Sequence, residues 1–411
     1  MNSLEPQTGD ALSDLWASSE VEPAPKSWAR QCTHSENRLH QLSPYIGKLK
    51  SSIASDLILR YTSPGDAVLD PFCGSGTVPL ECAILGRRSI GCDTNPYAVL
   101  LTKAKLSAPT TADEAIARFH SVHEESLSRE SNISGDCPEW VRKFFHPATL
   151  DEALRFADQC IDQDEAFLLA CLLGILHHQR PGFLSYPSSH LIPYLREKKY
   201  PRSDYPEMYE KRELGSRMIA KIKRALRTPI APQQDNLVGR VPVESFALDE
   251  QVDAIITSPP YMNALDYVRD NRLRMWVLDR NVVDYQREAT DSSGSFDQLM
   301  QCFINNCLSQ LKIGGTAVLV VGERVRRKRM TSHPAECLLN HISNETGNAM
   351  TLEKVIRDTI PDVRRARREG AATKRELILV LRKSKDFEMG SEPAVRRATA
   401  ANRGFMTVGY A

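Results

Sequence analysis

The stretch from Ala67 to Thr77, AVLDPFCGSGT, constrains the fold more tightly than any other part of the chain. A short apolar run ends in Asp70, two glycines follow at 74 and 76, and VPLECAILG (78–86) then takes up helical spacing. A second short apolar run, RSIGCD (88–93), comes next. Strand, Gly-rich turn, helix and strand in that order make a βαβ unit, which predicts a parallel, doubly wound sheet. The glycines allow a sharp turn and leave room for a ligand to lie against main-chain atoms. Asp70 stands where a carboxylate meets a cationic amino group. Asp93, about twenty residues further on, stands where an acid receives ribose hydroxyls. No Lys-Ser/Thr pair follows the glycines, which argues against a triphosphate-cradling loop.

The remainder of the chain is organised around this unit. Residues 1–34 are polar, without periodicity, and read as a mobile arm. A first catalytic part is expected over 35–110, with SSIASDLILRY (51–61) helical. Four helical stretches between 111 and 232 form an insertion, interrupted by the Pro/Ser/Tyr-rich PGFLSYPSSHLIPYL (181–195). Strand signals resume over 233–385 with VDAIITS, TAVLVVGE, TLEKVIRDTI and ELILVLR, and 386–411 reads as a tail. With 41% hydrophobic and 26% charged residues, the 411-residue chain has the balance of an ordinary globular protein. It offers neither a secretory leader nor an apolar run of the ~20 residues a membrane span needs, so a cytoplasmic protein is expected. Ten scattered cysteines with no C-x-x-C pair read as buried free thiols rather than disulfides or zinc ligands. A net charge of +1 means that any nucleic-acid affinity must come from local basic patches.

A second diagnostic stretch, DAIITSPPYMNALDY (253–267), runs a buried strand into Ser258-Pro259-Pro260-Tyr261. Together, DPFCGSGT, GCDTNPYAVLLTKAK (91–105) and SPPY resemble the motifs of the S-adenosylmethionine-dependent amino-group DNA methyltransferases, which act on cytosine N4 or adenine N6. The upstream SPYIGKL (Ser43 to Leu49) resembles the motif that completes the methionine pocket in that family. The resemblance implies a Rossmann-like class I methyltransferase fold, α/β, with a seven-stranded mostly parallel sheet and an inserted helical region. It implies S-adenosylmethionine as cofactor, held by Tyr45, Gly47, Lys48, Asp70, Pro71, Phe72, Gly74, Gly76, Thr77, Asp93 and Asn95. Ser258, Pro259, Pro260 and Tyr261 become the catalytic set, with no metal required.

The chemistry explains that set. An exocyclic amine is a poor nucleophile because its lone pair is delocalised into the ring. The Ser258 hydroxyl and the Pro259 carbonyl, both accepting from the amine, would pull it towards tetrahedral geometry, and the prolines stiffen the loop that carries them. Tyr261 offers a face on which a flipped-out base can stack. Serine in first position is associated with cytosine N4 and aspartate with adenine N6. An acid common in the strand before this motif is missing; GRVPVESF supplies only Glu244 and Ser245 for the adenine ring of the cofactor.

Double-stranded DNA is the expected partner, with a cognate restriction or defence-system protein as a further candidate and no membrane. Arg324, Arg326, Arg327, Lys328 and Arg329 directly follow TAVLVVGE, and PDVRRARREG (361–370) follows the next strand. Both runs are expected at the catalytic edge, holding phosphates. Sequence reading is assigned to 177–227, where aromatic, Ser, His and basic residues mix. His177, His178 and His190 match no tight zinc pattern and are read as packing or base contacts. Adenine N6 methylation, methylation of a base in RNA, and a cofactor-retaining but non-catalytic nucleic-acid-binding module are the alternatives.

Overall fold

The computed structural model describes residues 21–29, 36–130, 137–178, 182–186, 198–228, 230–231, 235–260, 267–280, 293–322, 334–359, 375–387 and 405–408. Nine strands form one sheet: β1 (Val21–Pro23), β2 (Ala67–Asp70), β3 (Arg88–Cys92), β4 (Asn236–Gly239), β5 (Val252–Thr257), β6 (Leu311–Gly322), β7 (Met350–Thr359), β8 (Arg375–Lys383) and β9 (Phe405–Val408). Their spatial order is β1-β7-β8-β6-β5-β2-β3-β4-β9. Strands β2 to β6 pair in parallel, whereas β8 runs antiparallel between β6 and β7. The order reverses between β2 and β5, the position at which doubly wound sheets bind ligands beyond their carboxyl ends.

The chief helices are α1 (Ser51–Tyr61), α2 (Thr77–Ile84), α3 (Pro96–Leu106), α4 (Ala112–Leu127), α5 (Pro147–Asp162), α6 (Ala166–Ile175), α7 (Leu214–Ala225), α8 (Tyr267–Leu278), α9 (Ser293–Cys302) and α10 (Pro334–Thr346). Period-two alternation divides the sheet residues between its two faces. Val68, Ile256, Val318, Val320, Ile356 and Ile378 pack with Ile53, Leu57 and Ile58 of α1 on one side. Leu69, Ile255, Leu319, Val321, Val355 and Leu379 pack with Met300, Leu338 and Ile342 of α9 and α10 on the other. Both faces are buried, which is why these strands read as continuous apolar runs rather than alternating ones. Helices α4 to α7 of the inserted region share a third cluster with Tyr97, Leu101 and Ala104 of α3.

Two expectations are corrected at the sheet edges. The segment read as a mobile arm supplies β1, which pairs in parallel with β7 through Val21↔Val355. A short helix at Lys26–Ala29 then buries Trp28 to 1% exposure, and its indole Nε1 donates to Asp56 Oδ2 on α1 at 3.0 Å. Apolar burial of that one aromatic side chain, together with a sheet edge needing partners, orders this stretch. The tail likewise supplies β9, antiparallel to β4, with Phe405 edge-on to Phe246 at 5.7 Å. The seven strands expected are thus flanked by one more at each edge. Strand β6 also begins earlier than TAVLVVGE, at Leu311, with a register shift opposite Val252 and Ala254.

Cys73, Cys82, Cys92, Cys137, Cys160, Cys171 and Cys307 are buried free thiols, and Cys302 and Cys337 are free and half-buried. Among the described residues no helix is long and apolar enough to cross a membrane.

Candidate active site

The βαβ turn is built around its glycines. Gly74 and Gly76 have φ of +49° and +73°, a region L-residues avoid, and Gly76 is the cap from which α2 starts at Thr77. A Cβ on Gly76 would also stand 2.6 Å from Thr102 Oγ1 and 2.9 Å from its Cα, so glycine is required for closeness as well as conformation. Asp93, just beyond β3, ties two turns together: Oδ2 accepts from Gly74 N and Oδ1 from Asn95 N, each at 2.9 Å. Asn95 in turn caps α3 by accepting from Tyr97 N at 2.9 Å. Pro71 accepts from Cys92 Sγ through its carbonyl, and the ring of Phe72 packs against Phe303 at 5.7 Å. At the end of β4, Gly239 O accepts from Asp93 N at 3.3 Å, and the following Arg240 donates to Thr94 O at 3.1 Å. Glu244 and Ser245 lie in an exposed turn further along.

The upstream motif folds over this loop. Tyr45 lies at van der Waals distance from Gly74, whose Cβ would meet Tyr45 Cε1 at 3.5 Å. The same ring packs against Tyr97 at 6.0 Å. The Tyr97 hydroxyl donates to Pro44 O at 2.8 Å and is 2.6 Å from Ser43 Oγ, fastening the motif to α3. Gly47 makes the turn with a φ of +81°. Lys48, expected among the cofactor ligands, gives its amine to His40 O at 2.7 Å.

Strand β5 brings the second motif alongside the first. Val68↔Ala254 and Leu69↔Ile255 are in register, so Thr257 falls beside Asp70 and its Oγ1 donates to Asp70 Oδ1 at 2.6 Å. Asp70 is buried, and loss of hydration pushes its carboxyl up to about 7; bonds from Thr257 and Phe72 N pull it down, while the Asp93 charge pushes it up. Ser258 Oγ donates to Val320 O on β6 at 3.2 Å. Pro259 is buried and Pro260 half-buried beside it. The next described element, α8, is anchored on the inserted helices: Arg274 Nε donates to Leu173 O at 3.1 Å, and Arg280, just beyond α8, pairs with Asp158 at 2.6 Å.

Tyr261, Arg324, Arg326, Arg327, Lys328, Arg329, His190 and the 361–370 run lie outside the described residues. The described ends of β6 and β7, Gly322 and Thr359, oppose Glu376 and Arg375 at the start of β8, and so leave the sheet at the same edge. His177 is 2.9 Å from Ser185 Oγ and edge-on to Phe144, and His178 stacks on Phe183 at 4.8 Å. Thr257, Tyr97, Thr102 and Lys105 escaped the sequence reading. The first depends on strand adjacency, whereas Lys105 carried a signal as a cation inside the apolar AVLLTKAKL.

Several known proteins resemble the chain. The Type II methyltransferase M.BsoBI of Geobacillus stearothermophilus is 25% identical over 271 residues, covering 58% of this chain and 52% of the relative. M.MjaII of Methanocaldococcus jannaschii is 37% identical over 68 residues, 16% of this chain and 13% of its own length. The chain therefore spans about half or less of these relatives. Among solved structures, a SAM-dependent methyltransferase from Methanosarcina mazei aligns over 81% of this chain and 98% of its own, with 11% identity and a TM-score of 0.31. The model of the N6/N4 family described as DNA methylase matches residues 2–104 and 252–404, well over half of the chain, and the protein belongs to that family.

Proposed function

We propose that the protein transfers a methyl group from S-adenosylmethionine to the exocyclic amine of a flipped base in double-stranded DNA, with cytosine N4 the favoured atom. The observation that carries this reading is the Thr257–Asp70 hydrogen bond, 2.6 Å long, which joins the loop suited to the methyl donor to the loop suited to the acceptor.

S-adenosylmethionine is the methyl donor of this family, and the residues present suit it. Ser75 Oγ and Asn95 Nδ2, in and beside the glycine loop, are buried polar atoms with no hydrogen-bond partner among the described residues. Asp70 is a desolvated carboxyl suited to the donor's ammonium, and Asp93 with Asn95 is suited to its ribose hydroxyls. Tyr45, Gly47, Phe72, Gly74, Gly76 and Thr77 would complete the pocket. When bound, the donor supplies an electrophilic methyl group on a sulfonium.

The protein's own contribution lies in holding the acceptor. Donation to Val320 O orients the Ser258 hydroxyl, which would accept from the amine. The Pro259 carbonyl would accept the second amine hydrogen, and the fixed pair draws the nitrogen out of conjugation before any bond is made. Tyr261 would stack on the base, while Arg324, Arg326, Arg327, Lys328 and Arg329 would hold phosphates. The inserted helices between 111 and 232 would read sequence. A cytoplasmic enzyme follows from the same reading, with a restriction or defence-system protein as candidate partner.

Nucleoside mass spectrometry tests the reading directly. DNA from a host expressing the chain should contain N4-methylcytosine. N6-methyladenine instead would move the target atom, and modified RNA with unmodified DNA would replace the substrate.

A further inference from the structure

Helix α3 turns one face, Ala98, Thr102 and Lys105, towards the back of the glycine loop. Lys105 Nζ donates to Ser75 O, and Thr102 Oγ1 lies 3.3 Å from Gly74 O, its one proton shared between that carbonyl and Ala98 O at 3.1 Å in its own helix. Lys105 is 1% exposed, and among the described residues its amine has no other hydrogen bond. Burial pushes the amine down to about 7, with Lys48 adding to the effect and Glu36 and Glu81 opposing it. A leucine or methionine would fill the same space without that desolvation, so filling space does not explain a lysine here. Besides attraction to Glu36 and Glu81, its return is the carbonyl it holds.

That return has a direction. All peptides described are trans, so drawing the Gly74 carbonyl towards α3 turns the Ser75 N–H away from it. The Gly76 N–H is already bound to Cys73 O at 2.8 Å, and the Gly74 N–H to Asp93. With Ser75 O held from behind by Lys105 and Gly74 O sharing the Thr102 proton, the loop is restricted in how it can meet a ligand.

We propose that Thr102 and Lys105 form a carbonyl clamp on the glycine loop, with Lys105 acting as a positioning residue for the methyl donor. The inference rests on the proposed donor and goes beyond it by assigning a role to side chains that do not touch the donor. The test is calorimetric titration of wild type, Lys105→Met and Thr102→Val with S-adenosylmethionine, alongside initial rates on unmodified genomic DNA at varied donor concentration.

Loss of one hydrogen bond should raise the donor Kd and KM by about three- to tenfold while kcat at saturating donor stays within about twofold. Simple destabilisation would instead lower the active fraction and leave Kd in place. Unchanged Kd in both variants, with wild type binding normally, would overturn the clamp. If Lys105→Met does not fold, Thr102→Val alone decides. Failure of wild type to bind the donor would overturn the donor reading and the clamp with it.

Discussion

Replacing Thr257 by valine probes the link between the two motifs, because it keeps shape and strand preference while deleting the hydroxyl that donates to Asp70 at 2.6 Å. Burial already lifts the Asp70 carboxyl to about 7, and the Thr257 bond is one of the two contacts pulling it down. A bound ammonium favours the carboxylate, so donor affinity should rise with pH up to about 7 and fall again above about 8 as the donor's own α-ammonium deprotonates, a loss common to wild type and variant. Folding responds in the opposite sense. An acid raised above its ordinary value favours the folded state below that ordinary range, and this contribution fades as pH climbs through about 7.

Losing a hydrogen bond to a charged group costs about 1.5–3 kcal/mol, or roughly one to two pKa units. With Asp70 half ionised at pH 7 in wild type, the variant would be about 1–9% ionised there, and the donor Kd would rise roughly five- to fiftyfold. At pH 9 the difference should shrink to about twofold or less. Glu81 and Lys105 are also shifted to about 7, so the contrast between wild type and variant across pH isolates Asp70. Calorimetric titrations at pH 6, 7, 8 and 9 supply the readout. Equal weakening at every pH would mean structural damage, and no weakening at pH 7 would remove Asp70 from donor binding.

Three further outcomes are expected. Ser258→Ala should leave donor Kd unchanged in calorimetry while single-turnover methyl transfer slows by a factor of about 10² or more, the usual effect of losing one preorganised contact. Gly76→Ala places a Cβ 2.6 Å from Thr102 Oγ1 on a backbone with φ of +73°. A cost of about 1–3 kcal/mol in urea unfolding and loss of donor binding are expected. Trp28→Ala opens a cavity against α1 and should cost about 3–5 kcal/mol in the same assay.

The central sheet was legible because strands buried on both faces leave unmistakable apolar runs, and because Gly74 and Gly76 punctuate the first crossover. Its edges were not. Val21–Pro23 and Phe405–Val408 are strands of three and four residues in polar surroundings. Their conformation is set by the neighbour each finds at the sheet edge, which local propensity does not encode. The site divides in the same way. Asp70, Asp93 and Ser258 announce themselves by standing at strand ends, but the Thr257–Asp70 bond joins residues 187 positions apart and is a consequence of register. Lys48 and Lys105 show the limit most clearly. The motif lysine turns to His40 O, whereas the lysine hidden in an apolar helix reaches the loop.

Helix α3 also bears on what the inserted region can be. Thr102 and Lys105 hold the glycine loop, while Tyr97, Leu101 and Ala104 of the same helix belong to the cluster that α4 to α7 complete. The Ser258 motif is held comparably: Thr257 fixes its start to the sheet, and α8, the next described element, is fastened to Leu173 of the inserted helices by Arg274, with Arg280 just beyond it paired to Asp158. The glycine loop and the Ser258 motif therefore each have one support in the sheet and one that depends on the insertion. Removing residues 111–232 would strip apolar cover from α3 and leave α8 without its anchors, so both loops would lose their geometry along with any sequence reading. If these helices read the target as proposed, a change of target is expected from substitutions on their exposed surface. Exchange of the whole region is expected to fail unless the new helices carry partners for Leu101, Arg274 and Arg280.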